Sequence, residues 1–210
     1  MTPLRQLLLL PFAFGQPLAE SACSVDNISN FDIPGIDILQ VKTEEVRDYA
    51  ITTVQIGDIE PANLSSLNFC SANITYTHPG KDDRIVVQIW LPLEDNWNGR
   101  FQGTGGGGFA TGFGSLALAP AVNDGYSAAC TDGGHASTNT EDWALIEPGK
   151  VDLTLLEDFA SIALNDMALL GKAVTEQYYG KAPNYSYWSG CSTGVSILLS
   201  KTLVMHETLS

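Results

Sequence analysis

The sequence predicts an α/β fold, and three observations carry that expectation. Arg84 to Leu91 is a β-rich run, residues 152 to 179 carry helical periodicity, and a short strand from Tyr185 leads straight into a glycine-rich turn. Strands that alternate with helices assemble into a sheet covered by those helices. Composition agrees with a packed core. Of 210 residues, 44% are apolar and 16% charged, whereas a disordered chain shows the reverse balance. The length suits one domain or part of a larger one.

The first residues read as an export signal over residues 1–22. Arg5 precedes Leu7 to Leu10, and the small residues Ala19, Ser21 and Ala22 follow. That apolar run is too short to span a bilayer, and no later run is long enough either. Asn27, Asn63, Asn73 and Asn184 open N-glycosylation sequons. Export places Cys23, Cys70, Cys130 and Cys191 in an oxidising compartment. Four cysteines allow three connectivities, and the sequence does not choose among them.

Residues 23 to 80 read as mixed and turn-rich. Arg84 to Leu91 reads as a buried strand, ended by Pro92 and the turn at Asn96 to Gly99. Phe101 and Gln102 enter a second strand that stops at Gly103. Tyr126 to Cys130 is a third, set between Asn123-Asp-Gly125 and Asp132-Gly-Gly134. In the helix, Leu156, Phe159, Ala163, Met167, Leu170, Val174 and Tyr178 recur every three or four residues and form one apolar stripe. Asp152 is placed to cap its start and Gly180 its end. Tyr185 to Trp188 then reads as a strand and Val195 to Val204 as a helix.

Charge narrows the partners. Ten Lys and Arg against 24 Asp and Glu give a formal charge of −14. Nucleic acid needs a basic surface, so it is excluded as a partner, and an anionic membrane is disfavoured. Neutral polymers and small neutral or aromatic substrates remain.

Two glycine-rich segments carry the chemistry. Gly190 to Gly194 matches Gly-x-Ser-x-Gly around Ser192, between a strand and a helix. That is the context of a nucleophile elbow, where a serine on a strained turn needs small residues two positions away on each side. Gly103 to Gly108 contains Gly-x-Gly-x-x-Gly, but Ala110 to Ala119 reads as a poor helix, broken by Gly112 and Gly114. A dinucleotide site needs a helix there. The segment reads instead as an oxyanion loop whose backbone approaches a substrate closely. A triad of this fold runs serine, acid, histidine along the chain. Only His206 follows Ser192, on the helix expected after the elbow. His78 and His135 precede the serine, as do Asp132 and Asp142, and His135 reads as structural.

Trp97 to Phe101, Gly103 to Phe109, Thr131 to His135, Tyr179-Gly180 and Ser186 to Gly194 together resemble the tannase and feruloyl esterase family of secreted serine esterases. The likeness runs in order over residues 23 to 194. It implies an α/β-hydrolase fold with a large lid inserted late in the chain, and hydrolysis of phenolic-acid esters. The substrate would be a small phenolic ester or esterified plant polysaccharide.

Under that resemblance Ser192 is the nucleophile, and the N–H groups of Thr193, Gly105 and Gly106 form the oxyanion hole. Cys191 is disulfide-bonded to a cysteine beside the catalytic histidine, and Cys23 pairs with Cys70. Cys130 is then left over, the rival pairing being Cys130 with Cys191. Neither a cofactor nor a metal is expected in this chain, because the family's calcium belongs to the lid.

The sequence departs from the family after Gly194, where Val195 to Ser200 replaces a polar helix start. It has 18 residues after Ser192, without a lid, acid or base. Residues 23–210 are therefore expected to be the N-terminal portion of an α/β-hydrolase domain, inactive alone and with an exposed sheet edge. The alternative is a non-catalytic secreted remnant that binds aromatic or polysaccharide ligands through Trp97, Phe109, Trp143 and Trp188.

Overall fold

The structure is a computed structural model that describes residues 22–29, 32–55 and 60–194. Residues 1–21 of the expected export signal, the helix expected over Val195 to Val204, and His206 lie outside the described residues.

A short helix α1 (Val25–Ile28) precedes two long strands, β1 (Asp37–Thr52) and β2 (Asn63–Thr77). Next come β3 (Ile85–Pro92), β4 (Arg100–Thr104), helix α2 (Ser115–Asn123) and β5 (Ser127–Thr131). A small hairpin, β6 (Leu145–Glu147) and β7 (Lys150–Val151), leads into α3 (Leu153–Glu157). A π-helical turn over Asp158–Ile162 joins α3 to α4 (Ala163–Tyr179), and β8 (Tyr185–Ser189) follows.

Six strands form one mixed sheet in the order β1-β2-β3-β5-β4-β8. The first four in that order pair antiparallel, while β5, β4 and β8 run parallel. Parallel neighbours need crossovers, and α2 and the α3–α4 segment supply them. Successive strand residues face opposite sides. Val87, Ile89 and Leu91 pack with Met167, Leu170 and Val174 of α4, whereas Phe69, Trp90 and Ala128 pack under Leu118 and Val122 of α2. The sheet is thus covered on both faces, the arrangement of an α/β fold.

The expected helix over 152–179 is present, with the π turn inside it. The Asp152 side chain accepts the Leu155 N–H at its start, and Gly180 closes it in the left-handed region at φ 67°. Ala163, Met167, Leu170, Val174 and Tyr178 of the expected stripe are buried. The strands expected from Arg84, Phe101, Tyr126 and Tyr185 become β3, β4, β5 and β8.

Two expectations fail. Residues 23 to 80 are dominated by strands of 16 and 15 residues rather than turns. Most of β1 is exposed at the sheet edge, so its sequence carries charge and little alternation; pairing with β2 holds it. The break expected over Ala110 to Ala119 extends only to Gly114. Helix α2 starts there and places Ala117, Leu118, Ala119 and Ala121 in the core.

Cys23 and Cys70 form a disulfide with a Cα–Cα distance of 5.5 Å, tying the segment before α1 to β2. Cys130, which is buried, and Cys191 are not joined to each other. At the other side of the sheet β8 pairs only with β4 among the described residues, and Tyr185 and Tyr187 are exposed there.

Candidate active site

The parallel pair β4 and β8 positions both glycine-rich segments. Thr104 pairs with Ser189 at the last register position, so the two loops leave the same end of adjacent strands. The Gly105 N–H continues the ladder and donates to the Ser189 carbonyl at 2.8 Å.

Beyond Ser189 the chain turns sharply. Ser192 has φ 54°, a left-handed conformation that non-glycine residues adopt at a cost. It is exposed, at a bend rather than in a straight segment. The turn is closed by Gly194 N–H donating to Cys191 O at 2.9 Å, and by the Trp188 indole N–H donating to Gly194 O at 3.0 Å. The Thr193 hydroxyl donates to Gly108 O at 2.9 Å and joins the turn to the glycine run.

The flanking glycines are sterically required. A Cβ on Gly190 would stand 2.8 Å from the Trp188 indole nitrogen. A Cβ on Gly194 would stand 2.6 Å from Gly106 O and 3.3 Å from Gly106 N. Gly107 and Ala110 exchange two backbone bonds of 3.1 Å, folding the glycine run into a tight turn. No helix follows that run directly, since α2 begins only at Ser115. The dinucleotide geometry is therefore absent at this segment.

The structure gathers Ser192, Thr193, Gly105, Gly106 and Cys191 beyond the same end of the adjacent strands β4 and β8. It commits the Gly105 N–H to Ser189, so that group does not point at a substrate. The described histidines are engaged elsewhere. The His135 ring contacts the Ser137 carbonyl at 3.0 Å and the Thr111 hydroxyl at 3.2 Å, and stacks on Trp143 with centroids 3.9 Å apart. Burial holds His135 below its ordinary pKa, which favours the neutral ring. Trp97 stacks on Tyr179 at 3.8 Å, and Trp188 packs against Gly103 and Gly105. Phe109 is exposed beside the glycine run.

A second polar cluster went unread in the sequence. The His78 Nδ1 lies 2.5 Å from Asp83 Oδ2, and its Nε2 lies 2.9 Å from Asp166 Oδ2. Tyr76 donates its hydroxyl to the same Asp166 oxygen at 3.2 Å. Burial opposes charge on His78, but its bonds to Asp83 and Asp166 prevail and raise its pKa. Burial likewise opposes charge on Asp83, and bonds from Thr77 and His78 prevail and lower its pKa. Asp158 is pushed up to about 7 by burial and then by the charge of Asp83. One sequence signal was open to reading: Asp158 and Asp166 lie eight residues apart beside the apolar stripe, where acids are costly. An imidazole among few donors does not suit calcium, which takes six to eight oxygens.

The fold and the elbow define an α/β protein built like an ester hydrolase. A profile of the tannase and feruloyl esterase family matches residues 70–197, more than half of the chain, and the chain belongs to that family. A probable feruloyl esterase of Arthroderma benhamiae is 43% identical over 201 residues, covering 90% of this chain and 36% of that protein. The solved tannin acyl hydrolase of Aspergillus niger superposes with a TM-score of 0.73 at 30% identity, over 86% of this chain and 34% of that one. Feruloyl esterase B of Aspergillus oryzae gives 0.60 at 25% identity, over 83% and 33%. The chain spans about a third of the length of these relatives.

Proposed function

We propose that this chain carries the nucleophile and oxyanion half of a secreted serine esterase that cleaves phenolic-acid esters, as a small ester or on plant polysaccharide. The observation that supports this most is Ser192 at φ 54°, exposed in the turn after β8, a turn that Thr193 and Gly194 join to the glycine run following β4. In this reading the Ser192 hydroxyl attacks the ester carbonyl and the alcohol leaves. Water then releases the phenolic acid from the acyl-enzyme. The backbone N–H groups of Thr193 and Gly106 stabilise the oxyanion. Gly105 positions Gly106 through its bond to Ser189.

The general base and acid come from residues beyond those described, because the rings of His78 and His135 are both committed elsewhere. Cys191 would tether that base through a disulfide, fixing it against Ser192. The family resemblance implies a lid with its calcium as well. The Cys23–Cys70 bridge and the sequons fit an exported, glycosylated protein. Among the described residues no helix is long and apolar enough to cross a membrane.

Methyl ferulate and propyl gallate test this reading. The 210-residue chain should turn them over no faster than its Ser192→Ala variant, since loss of triad function costs on the order of 10⁴ to 10⁶ in turnover. Joined to a downstream coding continuation with an Asp and a Cys-flanked His, it should become active and lose that activity in Ser192→Ala. Robust turnover by the 210-residue chain, abolished in Ser192→Ala, would show that the base is already present. Activity of the extended protein that survives Ser192→Ala would refute the nucleophile.

A further inference from the structure

We propose that His78, Asp83 and Asp158 form a binding site for one divalent cation of the Zn²⁺ class, with Asp166 as the outer partner that orients the imidazole. The site lies away from the elbow's own elements. Its residues come from the β2–β3 turn and from the π turn ahead of α4, and Asp166 comes from the first turn of α4.

Each donor is held for the purpose. Asp83 Oδ1 accepts from the Thr77 hydroxyl at 2.5 Å and from the His78 backbone N–H at 2.9 Å, which leaves Oδ2 facing the ring. Asp158 Oδ1 lies 3.8 Å from His78 Nδ1. One donor atom from each of the three residues lies within 4.8 Å of the others. On the far side of the ring, Nε2 meets Asp166, whose carboxylate also receives the Tyr76 hydroxyl and, at 3.3 Å, the Asn165 side-chain amide. A carboxylate behind a histidine fixes the ring and raises its basicity as a ligand, the usual support of a metal-bound imidazole.

The observation that points to a missing ligand is Asp158. Its side chain is 1% exposed, and its Oδ2 is buried with no hydrogen-bond partner. Native interiors rarely leave such an oxygen unpaired. Lys81 stands at the rim, half-exposed and paired with Glu157 at 3.8 Å, and does not reach it. Charge gives the same answer. Three carboxylates surround one imidazole, and an imidazolium offsets only one of them. A dication between Asp83 and Asp158 offsets both, while neutral His78 keeps its Nε2 proton for Asp166.

The donor set selects the ion. One nitrogen and two carboxylate oxygens, with a fourth position for water, suit four-coordinate Zn²⁺. Bonds of about 2.0–2.2 Å ask for donor pairs roughly 3.3–3.6 Å apart in a tetrahedron. His78 Nδ1 and Asp83 Oδ2 must therefore part by about 1 Å, losing a proton from Nδ1, while Asp158 Oδ1, 3.8 Å from Nδ1, closes in on the ion. The His78 side chain, 15% exposed, is the entry. The bound ion would clasp the β2–β3 turn to the helical segment.

The test uses the purified chain, stripped with a chelator and titrated with Zn²⁺. One equivalent should bind, and Tm should rise by about 5–10 °C at a hundredfold excess over Kd. Asp158→Asn, close in shape, should lose that binding and that shift. Asp166→Asn should weaken affinity by about 10- to 100-fold. Co²⁺ should give visible absorption bands of a four-coordinate site in the parent chain, a readout that stands even if a variant fails to fold. Ser192→Ala should bind Zn²⁺ unchanged, which separates this site from the esterase reading. A chain that takes up no Zn²⁺ and melts alike with and without it overturns the proposal. Equal Zn²⁺ binding by folded Asp158→Asn overturns it too, marking an adventitious surface site.

Discussion

The indole of Trp188 is bonded to the carbonyl of Gly194, Nε1–H donating at 3.0 Å across the turn that carries Ser192. The strand therefore braces the turn that follows it. Replacing Trp188 by Phe keeps a ring in place but strands the carbonyl of buried Gly194. The expected loss is about 1–3 kcal/mol. Urea denaturation should show a lower midpoint with an unchanged slope; an unchanged midpoint would mean that the bond does not support the turn.

Gly194→Ala tests the contact on the other side of that turn. The added Cβ would lie 2.6 Å from Gly106 O, so the elbow and the glycine run must separate. Overpacking of this kind costs about 1–3 kcal/mol. Hydrogen exchange should quicken at Gly105, whose N–H bonds to Ser189 at 2.8 Å. Unaltered protection there would mean that the two segments are not mutually dependent.

The Cys23–Cys70 disulfide spans 47 residues and anchors the N-terminal segment to β2. Restricting the unfolded chain over such a loop is a large entropic effect. Replacing both cysteines by serine should cost about 2–5 kcal/mol. Thermal melts of the parent and the double variant measure this directly, and coincident melts would contradict it.

His135 should make stability depend on pH. Burial lowers its folded-state pKa below the ordinary 6.5. As pH falls through 6.5 the unfolded chain takes up the proton first. The stability contributed by the neutral ring is thus complete above about 6.5 and is lost progressively below it. The ring meets the Thr111 hydroxyl and the Ser137 carbonyl, and Asp132 is the charged group acting on it. The difference in unfolding free energy between the parent and His135→Asn, measured from pH 7.5 to 5, should shrink as pH falls. A constant difference would show that the ring titrates alike in both states.

What could be read before folding follows the range of the forces involved. The helix over 152–179 is legible because its stripe repeats every three or four residues and its caps, Asp152 and Gly180, are adjacent. The elbow is legible because its pattern of small residues around Ser192 falls within five positions, although the contact that requires Gly194, with Gly106, comes only from the fold. The early strands are not: β1 is an exposed edge whose charged sequence carries little pattern, and only pairing with β2 keeps it extended.

The sequence by itself determined the α/β class, the strained serine and the family, because these rest on local sterics and on motifs in order. Tertiary structure alone decided that the Gly105 N–H is used in the ladder, that His135 is wedged against Trp143, and that His78 meets Asp158 and Asp166. Those last partners lie 80 and 88 residues away in the chain. Such pairings have no local signature, because the backbone between them contributes nothing until the sheet and helix bring them together.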